Sequence, residues 1–174
     1  MCRFVDKFEA FTLARKLIDD HGLPGWDFKL NKSKRQLGVC KEYLKRIELS
    51  EHYVQNNQPE MIVDTILHEI AHALVGVSHG HDQVWKNMCL RLGCNPRSCD
   101  KTVQMPEGDW KARCSSCRKV FSRHRRPKSL RGFFCTKCGP VLGQLYYSNV
   151  KVSYQKRQEK AAGSEARQLM LKIF

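Results

Sequence analysis

Residues 59–76 read PEMIVDTILHEIAHALVG. Pro59 suits the first turn of a helix, whose leading N–H groups lack intrahelical partners in any case. Ile62, Val63, Ile66, Leu67, Ile70, Ala73 and Leu74 then make the stretch apolar around most of its circumference, as in a helix surrounded by protein. Among the polar side chains that interrupt it, His68, Glu69 and His72 stand close together. Histidines four residues apart project from one face of a helix, so both imidazoles can reach one ion, and the intervening glutamate emerges beside them. Leaving all three unsatisfied there is costly, whereas a metal and its water satisfy them together. The expected ion is a catalytic zinc. It lowers the pKa of a water it holds to about 7, and Glu69 can take that proton as general base while the metal polarises a peptide carbonyl. Glu69 would then return the proton to the leaving amine.

A catalytic zinc takes three protein ligands and keeps one position open. His79 and His81 are the candidates for the third. The longer HExxHxxGxxH pattern needs glycine at position 75 and histidine at 78, whereas this chain has Val75, Gly76, Ser78 and His79. His81 is favoured because it lies at the mouth of the next helix, where Trp85 one turn later can anchor it against the core. His79 is then a solvated loop residue or a partner to a ligand.

Working outward, Asp82 opens that next helix, with Val84, Trp85, Met88 and Leu92 on one side and Gly93 as its stop. Upstream, Phe4, Phe8, Phe11 and Ile18 recur at helical spacing and predict a core-facing first helix. Gly22, Pro24 and Gly25 punctuate the chain after it. Trp26, Phe28 and Leu30, then Leu37 and Val39, then Ile47 and Leu49 show the period of two of half-buried strands, with Lys41, Glu42, Lys45 and Arg46 as a turn. The pattern predicts an α+β unit over residues 1–93: a three-stranded meander packed with the HExxH helix and flanking helices. Residues 94–109 read as a connection, and 151–174 as a tail with a polar helix.

The second constellation is Cys114-x2-Cys117, seventeen residues, then Cys135-x2-Cys138. Two such pairs fit a four-thiolate zinc site, and with no open position that zinc is structural, holding together a β ribbon over residues 110–150 too small for a core of its own. The expectation is therefore two zinc ions per chain. Cys2, Cys40, Cys89, Cys94 and Cys99 are assigned no role. Nine cysteines without an export signal point to metal ligation in a reducing compartment rather than to disulfides.

Net charge is +14, and it is concentrated. Residues 1–110 carry 15 Lys/Arg and 15 Asp/Glu, while residues 111–157 carry 13 Lys/Arg and no acid. Between the cysteine pairs lie Arg118, Lys119, Arg123, Arg125, Arg126, Lys128 and Arg131, with Phe121, Phe133 and Phe134 among them. A surplus of this size exceeds what solubility needs and matches a phosphate backbone, so DNA, single-stranded or bound without sequence preference, is the expected partner. The phenylalanines are expected to pack on the ribbon. No apolar run approaches membrane-spanning length. A monomer in the cytoplasm is expected, at the nucleoid or, in a eukaryote, in the nucleus.

The strands ending Ile47-Glu48-Leu49-Ser50, the HEIAH core of the helix, and Gly80-His81 followed by Trp85 together resemble the SprT-like family of zinc metalloproteases, over about residues 9–148. The resemblance implies His68, His72 and His81 as ligands, Glu69 as the catalytic residue, and substrates that are proteins associated with or crosslinked to DNA. Bacterial members are similar in placing a basic zinc ribbon after the protease unit. The long C-terminal region of Spartan-type animal members has no counterpart here, so regulation is expected to differ. The competing reading is a zinc-ribbon nucleic-acid-binding protein whose HExxH site is structural or vestigial.

Overall fold

A computed structural model of the chain describes residues 6–97 and 102–152. The chain divides into two compact units, Met1–Pro106 and Glu107–Phe174. Phe4, Cys2, Cys99 and the polar helix expected beyond residue 152 lie outside the described residues.

The first unit begins with α1 (Lys7–Asp20), entered through a capping box in which Asp6 accepts from the Glu9 backbone and the Glu9 side chain accepts from that of Asp6. Its buried face is Ala10, Ala14 and Ile18. Phe8 and Phe11 do not face the core as the spacing predicted: they are 78% and 44% exposed. The two alanines allow close helix packing that bulkier side chains would hold off, and Phe11 is left to meet Phe28 edge-on at 5.8 Å.

Three strands follow: β1 (Asp27–Asn31), β2 (Gly38–Lys41) and β3 (Arg46–Ser50). They do not form a meander. The order is β1-β3-β2, with β1 parallel to β3 and β2 antiparallel to it. Burial explains the arrangement. Ile47 and Leu49 of β3 are fully buried and claim the centre, whereas β2 is only half-buried along its length and takes the edge. The expected turn is present as a 3-10 turn at Glu42–Leu44 followed by Lys45 in the left-handed region (φ 45°).

Next come α2 (Glu51–Asn56), α3 (Pro59–Val75) and α4 (Gln83–Leu92). In α3, Ile62, Ile66, Leu67, Glu69, Ile70 and Ala71 are buried, which is the nearly all-round burial its composition requires. Leu74, near its end, is exposed. Asp82 caps α4 and Gly93 ends it in the left-handed conformation (φ 78°). The helix buries Trp85 and Cys89, and Val84, expected on that side, faces solvent. After α4 the chain stays on the same core. Cys94, Val103 and Met105 pack into it, and the Asn57 amide donates to the Gln104 carbonyl and accepts from its N–H, both at 2.8 Å.

The second unit is built on β4 (Trp110–Arg113), which pairs antiparallel with β5 (Val120–Arg123) and with β8 (Ser148–Asn149). A two-stranded ladder joins β6 (Phe133–Phe134) to β7 (Gln144–Leu145) around the short α5 (Gly139–Leu142). Ala112, Cys114, Cys135, Leu145 and Tyr147 form its buried hydrophobic cluster. So small a core needs a further clamp, and the cysteines are placed to provide one. The chain is thus α+β. Among the described residues no helix is long and apolar enough to cross a membrane.

Candidate metal centres and the cleft around them

α3 presents His68 and His72 one turn apart, and the loop into α4 brings His81 to meet them. Nε2 of His81 lies 3.2 Å from Nε2 of both His68 and His72. Nitrogens 2.0–2.1 Å from a tetrahedral zinc stand about 3.3 Å apart, so three converging nitrogens at this spacing fit one such ion. Trp85 is the floor. Fully buried, it packs edge-on to His68 and His81, at 4.6 and 4.4 Å between ring centroids, and stacks on His72 at 5.2 Å.

Burial, then the neighbouring imidazoles, push His68 and His72 down to about 4, so both are neutral at physiological pH with lone pairs free for a metal. Beneath them His72 Nδ1 and Trp85 Nε1 are buried without a hydrogen-bond partner among the described residues. Leaving such groups unpaired costs free energy, which the free energy of metal binding at His72 Nε2 would offset.

His79 takes the other role. Its Nδ1 lies 2.8 Å from Asp82 Oδ2, while Asp82 Oδ1 accepts from the Trp85 backbone N–H at 3.1 Å. Asp82 therefore caps α4 and ties down the loop on both sides of His81. The sequence showed the cap but not this pair, although the His-x-x-Asp spacing was the available signal.

Glu69 is buried against the edge strand. Desolvation pushes its carboxyl up to about 8, only partly opposed by the Cys40 backbone N–H, which donates to it. A carboxyl so disposed favours its neutral form unless a cation stands nearby, and a dication in the histidine cluster would restore the carboxylate. The residue that makes room for it is Gly38, which sequence reasoning missed. A Cβ there would stand 2.8 Å from Glu69 Oε1 and 2.8 Å from Leu49 Cδ2. Glu42, from the turn after β2, accepts from the Val77 N–H at 3.1 Å and fastens the far end of α3 to the sheet. Between β2 and α3 lies a cleft of about 420 Å3 lined by Glu69 and all three histidines.

In the second unit the Sγ atoms of Cys114, Cys117, Cys135 and Cys138 lie within 4.8 Å of one another, with Cys117 and Cys135 at 3.7 Å. Thiolates 2.3 Å from a tetrahedral zinc stand about 3.8 Å apart, so this set too fits a metal. Each pair closes a tight turn: Arg118 N–H donates to the Cys114 carbonyl at 3.1 Å, and Gly139 N–H to the Cys135 carbonyl at 2.9 Å. Both turns end left-handed, at Arg118 (φ 64°) and Gly139 (φ 73°). Backbone N–H groups, that of Cys117 first, draw the Cys114 thiol down to about 7, toward the thiolate a metal needs.

A family model for the SprT-like family matches residues 6–105. The chain belongs to the SprT-like family. That membership supports a metallopeptidase-type function and agrees with the histidine cluster as its metal site. No curated protein matches the chain. The second unit, which lies beyond the SprT-like match, carries the basic insert. Its seven cations, Arg118, Lys119, Arg123, Arg125, Arg126, Lys128 and Arg131, are all exposed. They are not equivalent. The Arg123 guanidinium lies over the rings of Phe133 and Tyr147 at 4.5 and 5.2 Å, Arg126 over Trp110 at 5.8 Å and Lys119 over Phe121 at 5.5 Å. Phe121 and Phe133 pack on the ribbon as expected, while Phe134 is exposed.

Proposed function

We propose that the chain is a zinc-dependent endopeptidase acting on proteins bound or crosslinked to DNA, with the ribbon holding the nucleic acid. The observation that carries the reading is the convergence of three histidine Nε2 atoms at 3.2 Å beside a buried glutamate, inside an open cleft. His68, His72 and His81 would hold the catalytic zinc, which supplies a Lewis acid and an acidified water. Glu69 is placed to take a proton and pass it to the departing amine, its carboxyl held by the Cys40 N–H and walled by Gly38. The four cysteines would hold a second, structural zinc. The exposed cations of the insert supply the phosphate-binding surface.

The deciding experiment compares wild type with Glu69→Gln on a protein crosslinked to an oligonucleotide. The proposal expects cleavage by wild type and loss of about a hundredfold or more in the variant at equal zinc content. Equal behaviour of the two would return the chain to the reading in which the HExxH site is structural and the ribbon alone has a function.

A further inference from the structure

β2 has a partner on one side only. It pairs with β3, and among the described residues no strand lies along its other edge. That edge borders the cleft, whose wall is residues 35–40 on one side and α3 on the other. An unpaired strand edge offers a row of backbone donors and acceptors, and an extended peptide can add to it as a further strand. The two ends of this edge differ chemically.

At the start of β2 the cleft is lined by Arg35, and by Arg97 from the segment after α4. Both are exposed, and neither has an ion-pair partner among the described residues. They are nevertheless held in place. Ser33 Oγ accepts from the backbone N–H groups of Arg35 and Gln36, and the Ser33 carbonyl accepts from Ser50 Oγ at 2.6 Å. Asn95 N–H donates to Asp64 of α3 at 2.7 Å, fixing the segment that carries Arg97. Asp64, the other acidic residue lining the cleft besides buried Glu69, is engaged in that bond, so two cations face one occupied carboxylate. At the far end of β2 a second hollow of about 590 Å3, lined by Val39, Tyr43 and Val77 among others, continues the same edge. Tyr43 is 85% exposed and Val77 44%. An aromatic ring presented so openly beside an apolar hollow is a contact surface without its contact.

We propose that the cleft reads its substrate on both sides of the cut: Tyr43 and Val77 take an apolar side chain, and Arg35 and Arg97 take an acidic one. The inference rests on the peptidase reading and adds a sequence class to it. Antiparallel pairing is the more stable per residue, so the peptide runs opposite to β2. Its apolar residue then lies N-terminal to the scissile bond and its acidic residue C-terminal.

The test uses three fluorescent peptides: one with leucine before and glutamate after the cut, one with lysine replacing the glutamate, and one with the order reversed. Cleavage by the zinc-loaded full chain is measured alongside binding of each peptide to zinc-loaded Glu69→Gln, which reports recognition without turnover. The first peptide should bind and be cut about tenfold better than the other two. Arg35→Glu should reverse the glutamate–lysine preference, and Tyr43→Ala should weaken all leucine peptides. Binding indifferent to both exchanges overturns the inference. So does Arg35→Glu weakening capture of a single-stranded oligonucleotide while the peptide preference stays intact, because that assigns the arginines to nucleic acid. If wild type with zinc fails to cut even an unfolded protein such as casein, the peptidase reading fails, and peptide binding to Glu69→Gln still reports on the specificity separately.

Discussion

Gly38 and Glu69 touch in the only way two residues from a strand and a helix could at this spacing: the glycine has no side chain, and the glutamate fills the place. A Cβ at position 38 would lie 2.8 Å from Oε1 and 2.9 Å from Cγ of Glu69. Gly38→Ala should therefore displace the carboxyl rather than merely crowd it. The expected outcome is a fall in kcat of tenfold or more with zinc content unchanged, and a loss of about 1–3 kcal/mol in stability from the simultaneous clash with Leu49. Steady-state kinetics with denaturant melts check both. An alanine variant with full kcat would mean that the position of Glu69 is not held by β2.

The buried carboxyl also sets how the metal-free protein responds to pH. Glu69 sits at about 8 in the fold against 4.5 ordinarily, so the folded state holds a proton that the unfolded state has released between those values, and stability falls as pH rises through them. His68 and His72 sit at about 4 against 6.5, so their contribution is present above 6.5 and is lost as pH falls toward 4. Two opposing slopes place the maximum from these groups near pH 6.5. Chelator-treated wild type should melt lower at pH 8.5 than at 6.5, and Glu69→Gln should lose that alkaline decline while keeping the acid one. Thermal melts of both proteins at three pH values give the answer, and parallel curves would contradict it.

The loop that carries His81 should depend on Asp82. Asp82→Ala removes the α4 cap, at about 1 kcal/mol, and frees His79 at the same stroke. Zinc affinity at the histidine site should fall about tenfold to a hundredfold, as for other groups that orient a ligand. Asp82→Asn retains an acceptor for the Trp85 N–H and should recover most of it. His81→Ala should empty the site, whereas His79→Ala should only weaken it. Zinc titration against a competing chelator separates these outcomes.

Elements with a strong period were legible in the sequence. The burial of α3, the Asp82 cap, the Gly93 stop, the His68–His72 pair and the four-cysteine set follow from spacing, because helical periodicity and ligand geometry are local properties, whereas the choice of His81 over His79 leaned on its place before Trp85. What was not legible depended on partners distant in sequence. The order β1-β3-β2 is decided by which strand is most apolar on the face that meets the helices, not by chain order. The outward turn of Phe8 and Phe11 reflects how closely Ala10 and Ala14 let α1 approach its neighbours. Gly38 carried no signal, since a glycine in a strand reads as a weak point until the side chain opposite is known.

The second unit should bind one zinc independently of the first. Elemental analysis should find two zinc ions per chain, with Cys114→Ser leaving one and His72→Ala leaving the other. Gly108 offers a metal-independent check on the same unit. A Cβ there would fall 2.1 Å from the Arg123 carbonyl carbon, a clash with backbone that no side chain can relieve. Gly108→Ala should unfold the ribbon, or slacken it enough for a chelator to strip its zinc at concentrations wild type resists.

Nucleic acid should stimulate proteolysis through the ribbon, and the cations to replace are not Arg123 and Arg126. Arg123 and Arg126 lie on aromatic rings, so their loss disturbs packing as well as charge. Arg125, Lys128 and Arg131 are exposed and do not lie over an aromatic ring among the described residues, which makes them the cleaner probe. Their replacement by alanine should weaken binding to a duplex and flatten its salt dependence, by a log-log slope of about 0.9 for each phosphate no longer neutralised. Cleavage of a protein carried on that DNA should fall in step. Binding to the same strand raises the local concentration of substrate, into the millimolar range for short tethers, and changes nothing at the histidine site. A short free peptide gains nothing from the tether, so its turnover should stay within about twofold of wild type. Measuring both substrates at two salt concentrations, on protein that retains two zinc ions, decides the matter: equal loss on peptide and on DNA-bound protein would show that the insert supports the active site itself, and the tethering account would fall.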